Sequence, residues 1–375
     1  MQRLGRAIFT LLVPAAAAVG AWQGWQWWSW ANRPMDLTQG DPAAKAVQVQ
    51  VERGTSARQI GRDLERLGII RSSAAWELWA RWLTWNNDSG GFQAGTYEVL
   101  PTAPMTTIAQ QLWQGKTIQQ SFTIPEGWTL RQIADYFQSQ GTFRAEAFMA
   151  AAQTVPRDRY PWLPARITSL EGFLFPDTYQ FPGDTITPKA VVDSMLDRFE
   201  KVALPLWDKS RGTSKLDLLG WVTLSSIVEK EAVIPQERSV IAGVFTNRLN
   251  RGQKLESDPT VEYALKIRQT PDRPLTFADI RSPSPYNTYL NPGLPPGPIA
   301  APGKASLEAT LAPGKTDYLF FVARYDGTHV FSKTLQEHEA AVKRIRAERN
   351  AKTKAPTAAP ASPSPSAAAS PKPTR

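Results

Sequence analysis

Cysteine is missing from all 375 residues. Its absence removes disulfides, zinc fingers and cysteine nucleophiles, though it leaves the cellular compartment open. Histidine occurs only as His329 and His338. A histidine-rich metal site or a Ser-His-Asp triad would have to use one of these. Neither has an acidic partner at metal-ligand spacing, so both are read as structural, with no metal and no cofactor expected. A charged body is missing too. The formal charge is +9, but residues 1–36 carry +2 and residues 341–375 carry +7, which leaves the stretch between near zero. A polyanion has no footprint there, so the charge gives no support to a nucleic-acid partner.

What is present is a folded chain with room for two or three domains: 42% of its residues are hydrophobic. Its 14 tryptophans cluster at Trp22–Trp30 and Trp76–Trp85. Arg3 and Arg6 precede an apolar run from Ala7 to Trp22, and the aromatic belt continues to Trp30. As a helix, Ala7–Trp30 would be roughly 36 Å long, enough to cross a hydrocarbon core with its interface. Arginines before the span and tryptophans after it predict a single-pass anchor, with the N-terminus in the cytoplasm and the rest outside. A cleaved signal peptide is the competing reading, with Ala15-Ala16-Ala17 as its small residues. Pro14, Gln23 and Gln26 weaken the span. Residues 1–33 are therefore assigned to a stub and anchor, and 34–45 to a linker.

An internal repeat comes next. VERGTSARQIGRDLERLGIIR (Val51–Arg71) aligns without gaps on IPEGWTLRQIADYFQSQGTFR (Ile124–Arg144). Each copy reads as a strand, a glycine turn, an amphipathic helix with Ser56 or Thr129 near its cap, a glycine stop and a second helix. The predicted strands are Val47–Val51, Gly95–Leu100 and Ser121–Ile124, with a helix over Thr106–Trp113. This small βααβ pattern over residues 46–154 resembles the LysM sugar-binding module; it could bind glycan or only brace the remainder of the chain. Beyond it, SLEGFLFPDTYQFPG (Ser169–Gly183) is dense in aromatics, with Glu171 and Asp177 at its ends. It could line a sugar cleft, since pyranose faces stack on rings, or be core and a turn. A helix is expected from Pro188 to Phe199.

The strongest signal lies in LDLLGWVTLSSIVEKEA, Leu216–Ala232. At about 100° per residue, Trp221, Leu224, Ile227 and Val228 form one stripe, and Glu231 falls inside it. Glu229 points to roughly the opposite side. A carboxyl set against apolar walls has its pKa raised, which suits a general acid. The alternative is that Glu231 ends the stripe, reaches water and does nothing. A second helix is predicted over Pro235–Arg251. Ser257-Asp258-Pro259 reads as a cap with proline at the first helical position, opening Thr260–Leu265. The proline- and glycine-rich stretch Ser282–Gly303 reads as the lip of a cleft. Tyr318–Arg324 and Thr328–Phe331 flank Asp326-Gly327, a hairpin signal. From Ala351 the Ala/Pro/Ser/Lys composition predicts a disordered tail.

Ser225–Leu265, together with SPYNTYLNPGLPPGPIAAPG, YLFFVARYDGTHVFS and EGFLFPDTY (Glu171–Tyr179), resembles the YceG-like family of endolytic murein transglycosylases. The resemblance covers roughly residues 45–345. It implies an α+β protein with an N-terminal transmembrane helix, LysM-like βααβ subdomains, and a mixed α/β catalytic domain over 155–350. It also implies location in the bacterial plasma membrane, with the catalytic domain on its outer side. The reaction implied is cleavage of the β-1,4 bond between N-acetylmuramic acid and N-acetylglucosamine in peptidoglycan, leaving 1,6-anhydro ends. The family's catalytic glutamate, the second of its EKE motif, falls on Glu231. Glu171, Asn287 and Tyr289 are candidate substrate-binding residues. Glu229, Asp258 and Arg248 are candidate structural residues, with Asp258 a helix cap. Peptidoglycan strands and the membrane are the expected partners, and peptidoglycan synthases are candidate partners. Two alternatives stand: a hydrolase using Glu231 with Glu171 or Asp258, and a catalytically inactive membrane-anchored glycan-binding scaffold.

Overall fold

Gly54 and Gly68 recur in the repeat as Gly127 and Gly141, and all four adopt left-handed backbone, at φ 86°, 69°, 75° and 69°. Side chains with a Cβ disfavour that region, so the repeat keeps glycine where each turn needs it. The sequence repeat is thus a repeat of structure. In this computed structural model the described residues are 2–35, 46–87, 90–182, 186–210, 212, 214–270, 273–324 and 326–354, with side chains described between 15 and 350.

The chain forms two units. One takes Met1–Pro125, Ile133–Ala151 and Pro176–Met195; the other takes Glu126–Gln132, Ala152–Phe175 and Leu196–Arg375. The chain passes between them several times, where the sequence placed a single boundary after residue 154.

The first unit opens with helix α1 (Gln2–Ala31). Then come β1 (Val47–Val51), α2 (Ala57–Arg66), α3 (Ser73–Asn86), β2 (Gly95–Val99) and α4 (Met105–Trp113). β1 and β2 pair antiparallel, Val49 opposite Tyr97. Ser56 and Ser72 cap α2 and α3 through their side chains. Trp76 is fully buried, and a Cβ on Gly61 of α2 would lie 2.5 Å from its ring. The indole therefore requires glycine at that crossing. In the second copy the position of Gly61 is held by Ala134, which is fully buried. That copy comprises β3 (Gln119–Thr123), α5 (Leu130–Ser139), α6 (Ala145–Gln153) and β4 (Thr178–Pro182). β3 pairs with β4, Phe122 opposite Tyr179, above Phe137 and Phe148. Part of the aromatic stretch expected to line a cleft or form core is thus the return strand of the second βααβ element.

The end of α1 belongs to the fold. Ala31 is fully buried, Trp28 packs on Trp79, and Asn32 accepts a hydrogen bond from Thr106 N–H. The unit therefore begins before the expected boundary at residue 33. Among the described residues no helix is long and apolar enough to cross a membrane. Half of the apolar run expected to do so, residues 7–14, has no described side chains. The expected linker lies largely outside the described residues.

The second unit is built round one helix. After α7 (Pro188–Val202) and α8 (Leu204–Ser210) comes α9 (Leu218–Glu231), capped by Asp217. A 3₁₀ turn (Pro235–Glu237) leads into α10 (Arg238–Asn250), then α11 (Asp258–Leu265), α12 (Phe277–Ile280) and α13 (Lys304–Leu311). The hairpin β5 (Phe320–Ala323) and β6 (His329–Ser332) precedes α14 (Leu335–Lys354). α14 runs past the expected start of the tail; residues 355–375 lie outside the described residues. α10, α11 and α13 all pack on α9. Every residue of α9 from Trp221 to Val228 is buried, which corrects the one-sided stripe. Its polar residues are satisfied internally. Ser225 bonds Trp221 O and Thr310 at 2.8 and 2.7 Å, and Ser226 accepts from Ile299 N–H at 3.0 Å. Burying them unpaired would cost about 1–3 kcal/mol each.

Candidate active site

Glu231 is the last residue of α9, where the helix dipole is negative and disfavours a carboxylate. It is half-buried. Its Oε1 accepts a 2.6 Å hydrogen bond from the Ser257 hydroxyl. Among the described residues Oε2 makes no hydrogen bond. Burial pushes the carboxyl up to about 7; Ser257 pulls it down, and the charges of Asp258 and Glu262 push it further up. Near neutral pH such a group holds its proton about half the time. It can both give and take one.

The residues round it come from α11 and the loop after α12. Ser257 is 1% exposed. Its hydroxyl does not cap α11, as its position before the helix predicts; it serves Glu231 instead. Asp258 does not cap either. Its oxygens accept Tyr289 O–H at 2.6 Å and Gln269 Nε2–H at 2.9 Å. Proline stands at the second helical position, since α11 starts at Asp258. Tyr289, with its phenol pushed up by burial and by Asp258, stays a neutral donor.

The expected substrate contacts have other work. Asn287 is 1% exposed; both its amide hydrogens go to the carbonyls of Ile280 and Ser282, and its oxygen accepts from Tyr289 N–H. It braces its own loop and has no donor left for a sugar. Glu171 is buried, accepting from Leu130 N–H at 3.1 Å and Tyr263 O–H at 3.2 Å. Burial raises it to about 8, so it is mostly protonated at neutral pH. Leu130 begins α5, which Thr129 and Gln132 cap locally through Gln132 N–H to Thr129 Oγ1 at 3.2 Å and Thr129 N–H to Gln132 Oε1 at 2.9 Å; Glu171 takes the remaining first N–H of the helix. Tyr289 does reach the site, but through Asp258.

The loop expected as a lip is strapped down. Ala301 exchanges backbone bonds with Gly127 and Trp128, and Gly303 N–H donates to Glu229. Glu229 also lies 3.8 Å from Arg238, and so braces the strap rather than facing the chemistry. Arg248 is structural: it donates to the carbonyls of Leu319, Lys254 and Leu255 and pairs with Glu256 at 2.9 Å. His329 has an acidic partner after all, Glu237 at 2.7 Å, from 92 residues away. The pair ties β6 to the turn after α9. His338 stacks on Phe320. Among the described residues no cluster of three or more metal-ligating groups occurs.

Sequence reading missed Ser257 and Glu262. The signal for Ser257 was present but pointed elsewhere: a serine before a helix is most simply a cap, and only the fold brings it to a residue 26 positions away.

Known proteins resemble this arrangement over most of its length. The endolytic murein transglycosylase of Bacillus subtilis is 32% identical over 319 residues, which is 82% of this chain and 86% of that one. That of Streptococcus pneumoniae is 31% identical over 358 residues, 88% of this chain and 63% of its own length. The crystal structure of a YceG-like protein from Listeria monocytogenes, 34% identical, matches 80% of this chain and all of its own with a TM-score of 0.54. The YceG-like family profile matches residues 49–344, a span that holds the repeat, α9 and the Ser257 helix together. The chain belongs to the YceG-like family.

Proposed function

We propose that the chain is an endolytic murein transglycosylase, a lyase that cuts peptidoglycan glycan strands and leaves 1,6-anhydro-N-acetylmuramic ends. The observation that carries the mechanism is a half-buried carboxyl with one oxygen held by Ser257 and the other without a hydrogen bond among the described residues. Protonated Glu231 gives its proton to the glycosidic oxygen as the C1–O bond breaks. The carboxylate then takes the proton of the muramic acid 6-hydroxyl as that oxygen bonds to C1. No water is consumed, and the glutamate ends as it began. A hydrolase of ordinary type needs a second carboxyl roughly 5–9.5 Å away to act as nucleophile or to activate water. Asp258 has both oxygens bonded already, which favours the intramolecular route. Incubating the full-length protein with glycan strands and reading the new ends by mass spectrometry tests this. Anhydro ends are expected; reducing ends would make it a hydrolase.

The two βααβ elements, read as LysM-like, would hold glycan chains. α1 is read as a single-pass anchor in the plasma membrane, with the enzyme outside. Residues 15–27 of α1 are exposed, and Trp22 and Trp25 are each 62% exposed. Exposed tryptophans of this kind are poorly suited to water and well suited to a membrane interface. Because Trp28 and Ala31 pack into the fold, the test is deletion of residues 1–26. The shortened protein is expected in the soluble fraction; retention on membranes would overturn the anchor.

A further inference from the structure

Two local rules are broken beside Glu231. Ser257 forgoes capping α11, which gives up helix stability. Glu256, just before it, sits in left-handed backbone at φ 50°, which a side-chain-bearing residue adopts only under strain. Both departures do one thing: they aim the Ser257 hydroxyl at Glu231. The backbone there is fixed from several sides. Ser257 N–H donates to Thr288 Oγ1 at 3.0 Å, and its carbonyl accepts Thr260 O–H at 2.6 Å. Glu256 is gripped by Arg248, and its N–H donates to the Thr288 carbonyl. Strain of this kind persists only when its surroundings overdetermine it.

We propose that Ser257 is a positioning residue, pinning Oε1 so that Oε2 is the oxygen that gives and retakes the proton, with Asp258, held by Tyr289 and Gln269, as the charged residue next to Ser257 in the chain. This rests on the reading of Glu231 as the acid and base. The two act in opposite senses. A hydroxyl donating to Oε1 favours the carboxylate; a clamped carboxylate next door favours the acid. The other groups facing the site are Glu262 on α11 and the Tyr289 phenol, with Glu256 beyond them. Tyr289 and Gln269 hold Asp258 by both oxygens, which keeps its charge in place. The balance leaves Glu231 near neutrality, where an acid that must become a base works best.

The test titrates Glu231 directly, by infrared difference spectra of the full-length protein with Glu231→Gln as reference and no substrate. Ser257→Ala is expected to raise the Glu231 midpoint by about one pH unit, and Asp258→Asn to lower it by a similar amount. With glycan, Ser257→Ala is expected to slow turnover roughly tenfold and move the alkaline limb of the rate profile upward with the midpoint. Ser257→Thr, which keeps the hydroxyl, is expected to restore both. If Ser257→Ala fails to fold, the Asp258→Asn and Ser257→Thr midpoints decide. A midpoint that does not move in Ser257→Ala, or in Asp258→Asn, would overturn the proposal. Because the titration uses no substrate, it stands apart from the reaction: shifted midpoints in a protein that makes no anhydro ends would overturn the activity and leave the pairing intact.

Discussion

Replacing Glu231 by Gln is expected to cut formation of anhydro ends by about a thousandfold or more, and to stabilise the protein above neutral pH. The loss arises because the amide is nearly isosteric but can neither give nor take the proton. The gain in stability comes from linkage. Glu231 has a value of about 7 when folded, against 4.5 for a free glutamate. The folded state therefore holds the proton more tightly than the unfolded one. Stability is greatest below the free value and falls as pH rises through the folded value. Above pH 7 the ionised side chain costs on the order of 1–3 kcal/mol, discounted for its partial exposure. Gln carries no such cost and its oxygen still accepts from Ser257. Unfolding measured across pH should show the two proteins alike below about pH 4.5, diverging between 4.5 and 7 and staying apart above 7. A separation independent of pH, or a variant that keeps most of its turnover, would show that Glu231 is not the titrating catalyst. In the wild type, turnover is expected to fall above about pH 7, as the acid form is lost.

Gly172→Ala is expected to destabilise the second unit by about 2–4 kcal/mol, the sum of backbone strain and overpacking. Gly172 has φ 80°, where an alanine is strained. An added Cβ would also lie 2.3 Å from Pro298 Cβ and 3.2 Å from Val222 Cγ1. Neither can yield. Pro298 is a ring inside the strapped loop, and Val222 is fully buried on α9. The neighbour Glu171 holds the first N–H of α5, so displacing residue 172 also loosens that hydrogen bond. Gly54 supplies the control: its φ is 86°, but nothing lies within 4 Å of an added Cβ. Gly54→Ala should therefore cost only about 1 kcal/mol, the strain alone. At roughly 2–4 °C per kcal/mol, the Gly172 variant should melt about 4–16 °C below wild type and Gly54→Ala much closer to it. Equal shifts in the two would mean that the close approach to Pro298 is not there.

The sequence alone determined what depends on neighbours along the chain. The repeat was legible because Gly54, Gly68, Gly127 and Gly141 recur for a backbone reason that acts within one turn. The hairpin round Asp326-Gly327 was legible for the same reason, Gly327 having φ 86°. The length of α9 and its candidate acid also came from local periodicity, although the stripe proved to be a helix buried all round. Tertiary structure alone decided what joins distant segments. β4 carries the strand alternation in its burial, yet its partner is 55 residues upstream, beyond any turn signal. Serine, aspartate and asparagine each have a local use as caps or turn formers and a distant use as donors or acceptors. Composition cannot tell these apart. Ser257 and Asp258 looked like a cap because capping needs only the next three residues. The Ser257 hydroxyl went to Glu231 and the Asp258 carboxylate to Tyr289 and Gln269 because α11 packs on α9 and against the loop after α12, and burial there made each such partner stabilising.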